Sequence, residues 1–244
     1  MKSVKFCLLL TSAIDPSGVS FMGRSDPKQR LDDTKDTMRK WLSYDNNLKI
    51  IFCDNSNFDL TAIKNLLLEE KAEHRVELIS FPGQDFDRKL GKGYGEIGCI
   101  KYVLAQSHFA KDCDFLIKVN ARYFISNFRL IARSLSRSQP DVSCDMRKYG
   151  TYCDARFIWF NKEFFTNYFI PRRENIDDSK GVYFEHELAK AVHQAMGDGM
   201  NWLPLKYAPR INGFSGTSNV KLDIGFRFYL RNVFYKIKDL VMGA

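Results

Sequence analysis

Short apolar runs alternate with segments of helical period along this chain, and that rhythm admits few architectures. Val4 to Leu10 (VKFCLLL) reads as a buried strand, and Leu31, Met38, Trp41 and Leu42 then recur at helical spacing before a second apolar run, Lys49 to Cys53. A helix from about Leu60 to Glu70, a strand Val76 to Phe81, a helix from about Gly95 to Gln106 and a strand Phe115 to Val119 continue the pattern. Beyond them a helix is expected over Asn127 to Leu135, strands over Asp141 to Cys144 and Arg156 to Phe160, a helix over Tyr183 to Met196 and a strand over Trp202 to Tyr207. Strands joined through helices need crossovers instead of hairpins, so the expectation is an α/β fold with a mostly parallel central sheet. No internal repeat or linker interrupts residues 1–220, which are read as one domain. Residues 221–244 are read as a C-terminal amphipathic helix, part of that domain or appended to it.

The composition, 45% apolar and 27% charged, excludes disordered and fibrous classes. A net charge of +8 favours an anionic partner: nucleic acid, anionic lipid or a phosphorylated small molecule. Arginines and lysines are spread along the chain and follow no nucleic-acid motif, so nucleic acid is not an expected partner. No stretch approaches the roughly 20 apolar residues of a spanning helix, and the run Phe6 to Leu10 is short for a leader. The expected location is the cytoplasm, peripheral at the inner face of the membrane. Six scattered cysteines without Cys-x-x-Cys spacing are expected to be reduced and mostly buried.

Open α/β sheets bind ligands at the carboxyl ends of their strands. Polar residues gather at those ends here: Thr11-Ser12, Asp54-Asn55-Ser56, Asn120-Ala121-Arg122-Tyr123, and Asp145 with Arg147. The run Gly91-Lys92-Gly93-Tyr94-Gly95-Glu96 leads into a helix whose free amides suit a diphosphate, although a ligand-free turn has the same composition. Glu96 falls inside the arc of Ile97, Ile100 and Val103, where a carboxylate must be satisfied by the helix terminus or a ligand. In Phe115 to Tyr123 (FLIKVNARY), Lys118, Asn120 and Arg122 stand where a metal-dependent sugar transferase places Asp-x-Asp. Cations there can neutralise a leaving diphosphate directly, so no metal or other cofactor is expected. The literal Asp112-Cys113-Asp114 precedes that strand and belongs to the opposite end of the sheet.

At the start of the helix from Tyr183, Glu185 lies within the apolar arc and Glu187 nearer the Lys190 edge. A partly desolvated carboxylate there has a raised pKa and can act as a base, with Glu185 the first choice and Glu187 the second. Either also suits the helix dipole alone. His186 and His193 read as surface residues. The stripe Phe226, Tyr229, Leu230, Val233, Phe234, Ile237, Leu240 and Val241, faced by Arg227, Arg231, Lys236 and Lys238, is a basic amphipathic helix. It either meets an anionic membrane through 225–242 or packs on the domain.

These segments, in this order, resemble bacterial glycosyltransferases of surface polysaccharide and lipooligosaccharide assembly, which have a GT-A-like, Rossmann-like nucleotide-diphospho-sugar fold. The resemblance covers roughly residues 4–220. It rests on Gly91 to Glu96, on Ile117-Lys118-Val119-Asn120-Ala121-Arg122-Tyr123 and on Tyr183-Phe184-Glu185-His186-Glu187. In the family the strand motif runs Lys-apolar-Thr-Gly-Arg-Tyr, and Asn120-Ala121 departs from its Thr-Gly. The resemblance implies a nucleotide-sugar donor, UDP-linked by preference, and a glycan or lipid-linked acceptor. It implies that Thr11, Ser12 and Asp54 hold the nucleoside, Lys118 and Arg122 the diphosphate, and Glu185 the acceptor hydroxyl; between inversion and retention, a base carboxylate near the acceptor favours inversion. Lys92, Glu96, Asn120, Tyr123 and Asp145 join the expected donor site, and Asn212 to Thr217 resembles a closing loop. Two other classes compete. A nucleotide-binding phospho- or nucleotidyltransferase is disfavoured by the lack of a P-loop and of a metal-placed carboxylate pair, and a nucleic-acid-binding protein by the dispersed charge.

Overall fold

The computed structural model describes residues 4–16, 18–19 and 23–222, together with Leu230, Val233 and Ile237. Strand β1 (Phe6–Ser12) leads to helix α1 (Pro27–Tyr44), β2 (Ile50–Asp54), α2 (Thr61–Glu69), β3 (Val76–Ser80), α3 (Lys92–Gln106) and the short α4 (His108–Asp112). There follow β4 (Phe115–Asn120), β5 (Tyr123–Ile125), α5 (Phe128–Ser138), β6 (Val142–Arg147) and β7 (Tyr152–Asn161). The one-turn α6 (Lys162–Phe164), α7 (Phe184–Gly197), β8 (Ile211–Phe214) and β9 (Lys221–Leu222) complete the series.

The central sheet runs β3-β2-β1-β4-β7-β6. β1, β2, β3 and β4 pair in parallel, while β7 is antiparallel to both β4 and β6. Alternate residues of each strand face opposite layers. Leu8, Leu10, Ile117 and Val119 pack with α1, α2 and α5, whereas Cys7, Leu9 and Leu116 pack with α3, α4 and α7. All six cysteines are buried thiols without a disulfide. Among the described residues, no helix is long and apolar enough to cross a membrane.

Some sequence expectations fail here. Trp202 to Tyr207 is not a strand: Trp202 makes one bridge to Val142, and Pro204 has no N–H to extend a ladder. Half of the expected closing loop is instead β8, which forms a small sheet in the order β5-β8-β9 and leaves Ser215 to Thr217 as the turn. Lys221 and Leu222, assigned to the C-terminal helix, form β9. The rest of that helix lies outside the described residues except Leu230, Val233 and Ile237, which are helical and each more than half exposed.

Candidate active site

A cavity of about 240 Å³ opens at the carboxyl ends of β1 and β4. Its walls come from the first turns of α3 and α7, the first residues of β7 and the turn Ser215 to Thr217. Because β7 runs against its neighbours, its amino end reaches the side where the parallel strands end.

The floor is a buried ion cluster. Glu96 Oε1 accepts from Thr11 Oγ1 at 2.8 Å, Asn120 Nδ2 at 2.5 Å and Lys118 Nζ at 2.5 Å, and Lys118 also donates to Ala155 O at 2.6 Å. Burial alone would raise the Glu96 carboxyl, but the Lys118 charge and these hydrogen bonds outweigh it and hold the group below its ordinary value.

Three cations line one side. Arg30 emerges from the buried face of α1, donating to Ala13 O at 2.7 Å and Arg24 O at 2.9 Å, and burial together with the Arg122 charge pulls it down to about 10. Arg122 Nε donates to Phe214 O at 3.1 Å, and Lys92 reaches the Thr217 hydroxyl. The turn lies across them, with Gly216 O accepting from Gly23 N at 3.0 Å and Arg24 N at 3.1 Å. A Cβ on Gly216 would sit 2.7 Å from the Arg122 guanidinium, so the turn packs directly against that side chain.

Glu185 also lines the cavity, from the first turn of α7, with no ion pair or side-chain partner among the described residues. Burial pushes its carboxyl above the ordinary range; the backbone N–H opposes this and the charge of Glu96 adds to it. Beside it stand Tyr152, whose hydroxyl burial holds well above its usual range, and Asp154. Asp154 is clamped by Arg147 at 2.7 Å and by Arg156 Nε at 2.8 Å; these bonds and charges override burial and hold it well below the usual carboxylate range.

Thr11, Ser12, Lys92, Glu96, Asn120, Arg122, Tyr123 and Glu185 thus meet at one cavity, and four other expected site residues do not. Lys118 is fully buried one strand period beneath Asn120, its ammonium taken by Glu96. Asp54 is turned onto its own loops, accepting from Ile14 N at 2.6 Å and Ser56 N at 2.8 Å. Asp145 pairs with Arg147 at 2.5 Å and lines a separate small cleft. Glu187 is fully buried behind α7, bound to Lys190 at 2.6 Å, Asn175 at 3.2 Å and Arg172 at 3.5 Å, which hold it below its ordinary value against burial. The glycine run is also not a bare phosphate cradle. Gly91 abuts the Asp178 carboxylate, Gly93 Phe184 and Gly95 Asn55, so its glycines admit neighbouring elements.

Asn55 and Arg147, read from the sequence as strand-end residues, also line the cavity, and Arg30, Tyr152, Asp154 and Arg156 line it without having been expected there. Arg30 was readable as a charge in the buried series with Thr34, Met38 and Trp41.

No family model and no curated protein sequence matches the chain. The structure is similar to the apo structure of WbbM, a bifunctional glycosyltransferase, with a TM-score of 0.50 at 12% identity over 98% of this chain and 45% of that one. It is also similar to the mannosyltransferase PcManGT from Pyrobaculum calidifontis, solved in complex with GDP-Man and Mn2+, with a TM-score of 0.49 at 9% identity over 97% of this chain and 62% of that one. The fold is GT-A-like. The chain spans less than half of WbbM and under two thirds of PcManGT.

The expectation that no divalent metal is required is overturned by PcManGT, which binds its donor with Mn2+ on a similar fold. Glu96 and Asp154 are already engaged by cations, and among the described residues no three His, Cys, Asp or Glu converge. These residues do not form a protein cage for a divalent ion. An ion held largely by donor phosphates needs few protein ligands, so the missing cage says nothing about a metal requirement.

Proposed function

We propose that this protein is a glycosyltransferase moving a sugar from a nucleotide-diphospho-sugar, UDP-linked by preference, onto a hydroxyl of a glycan or glycolipid in bacterial surface polysaccharide assembly. The observation that carries this is one cavity that holds Arg30, Lys92 and Arg122 together with a desolvated carboxylate without an ion pair among the described residues. Thr11, Ser12 and Asn55 border the nucleoside end, and Arg30, Lys92 and Arg122 take the diphosphate. Arg122 presents a planar fork that matches two phosphate oxygens. Glu185 accepts the acceptor hydroxyl's proton as that oxygen bonds to the anomeric carbon and the carbon–phosphate oxygen bond breaks. The nucleoside diphosphate leaves with its charge facing the three cations, and single displacement inverts the anomeric centre.

Hydrolysis and thermal stabilisation measured across uridine, guanosine and cytidine nucleotide sugars, with and without Mn2+, test the assignment. A uridine diphospho-sugar is expected to raise the melting temperature most. Replacing Arg122 by Ala is expected to cut turnover by about a hundredfold, the scale of losing one charge-stabilising donor. Full turnover without Arg122, or no stabilisation by any nucleotide sugar, defeats the proposal.

A further inference from the structure

The outward face of α5 is built against local electrostatics. Arg129, Arg133 and Arg137 follow at four-residue intervals and therefore form one row, with Cβ atoms about 6 Å apart and like charges that repel. Arg129 stands in the first turn, where the helix dipole disfavours a cation, and the helix contains no Asp or Glu. The other described helices of comparable length all mix signs: Asp32, Asp33 and Asp36 in α1, Glu69 in α2, Glu96 in α3, Glu185 and Glu187 in α7. Compensation falls on the first of them alone. Arg129 lies 3.6 Å from Asp45, stands over the Tyr44 ring and donates to Tyr44 O, while Arg133 and Arg137 make no ion pair among the described residues. The backbone of exposed Arg210 is bonded to Ser126 and Asn127, which puts another basic residue beside the first turn.

At about 100° per residue, Leu130 falls in the same outward arc as the arginines, and it is 48% exposed. The buried face is formed by Phe128, Ile131, Ala132 and Leu135, so the arginine row is not needed for packing.

We infer that this face of α5 docks on an anionic phospholipid surface, with the three guanidiniums on headgroup phosphates and Leu130 entering the headgroup boundary. An exposed leucine among arginines suits that boundary. It gains nothing against the phosphates of a nucleic acid. The inference stands apart from the glycosyl-transfer proposal, because it uses no cavity residue.

The test is flotation of the full chain with vesicles of equal phosphatidylglycerol and phosphatidylcholine, and with phosphatidylcholine alone. The parent is expected to bind only the mixed vesicles, and more weakly at high salt. Arg129→Gln, Arg133→Gln and Arg137→Gln together are expected to lower the partition coefficient on the order of a hundredfold, at roughly fivefold per cation, in a variant that still folds. Should the triple variant fail to fold, the Arg133→Gln, Arg137→Gln pair carries the same test, because neither residue has an ion pair to lose among the described residues. Unchanged binding of a folded variant overturns the inference. So does a variant that keeps vesicle binding but loses binding to duplex DNA, which would assign the face to nucleic acid.

Discussion

Helices α3 and α7 start at the same cavity and touch there, yet the carboxylates they bring to it are in opposite states. Glu96 on α3 sits in a net of donors from Lys118, Thr11 and Asn120 and is held ionised, below its ordinary pKa. Glu185 on α7 shares the burial but has no such partner among the described residues, and its carboxyl is raised. Two residues further on, Glu187 returns to the first state, locked by Lys190, Asn175 and Arg172. Glu185 and Glu187 share the first turn of α7 and Glu96 follows directly after the first turn of α3, so the neighbouring cations decide which carboxylate is structure and which is free to move a proton.

The largest effect is expected from Glu96→Gln, which leaves the Lys118 ammonium fully buried without its counter-charge. Breaking a buried pair in this way costs about 3 kcal/mol. For a chain of this size that lowers the melting temperature by roughly 6–12 °C, read by calorimetry. Glu185→Gln should do the reverse. A carboxyl with a raised folded-state pKa holds its proton more tightly in the native state, so its contribution to stability falls as pH rises from the unfolded value through the raised one. At neutral pH the glutamine variant is therefore at least as stable as the parent, while its turnover drops by about a hundredfold with donor binding retained. Loss of turnover in Glu187→Gln alone would move the base to the clamped position.

The pH profile sharpens the contrast. Only the ionised base works, so kcat/KM is expected to fall as pH drops through the raised pKa of Glu185, giving an acid limb above the ordinary carboxylate range. That limb is expected to vanish in Glu185→Gln. An acid limb unchanged in the variant would assign it to another group.

Much of this arrangement was legible in the sequence, and the losses have physical causes. Apolar runs located β1, β2, β3 and β4, and the rule that ligands sit at carboxyl ends pointed to Thr11, Asn120 and Arg122. The same rule hid Tyr152, Asp154 and Arg156, because β7 is antiparallel and brings its amino end to the cavity. Lys118 and Asp54 belong to the right strands, but strand alternation cannot tell a side chain one period too deep, or one folded back on its own loop, from one on the cavity wall. Glu187 departs from its expected edge position for a similar reason: the helical arc showed that α7 buries a face, but not that Arg172 and Asn175 would pack over Glu187.

The smallest expected effect concerns the contact between the two helix starts. A Cβ on Gly93 would lie 2.8 Å from Phe184 Cβ and 3.3 Å from Phe184 N, atoms close to the backbone that cannot swing aside. Gly93→Ala must therefore displace the first turn of α7, where Glu185 is the next residue. Overpacking of this size costs about 1 kcal/mol of stability, and a misplaced base is expected to lower turnover severalfold at saturating donor. Donor affinity should change less, since Arg30 and Arg122 come from α1 and the end of β4, away from Gly93. If Gly93→Ala instead weakens donor binding and leaves saturated turnover intact, the glycine run touches the diphosphate after all, and Gly93 is glycine to admit the ligand and not the neighbouring helix.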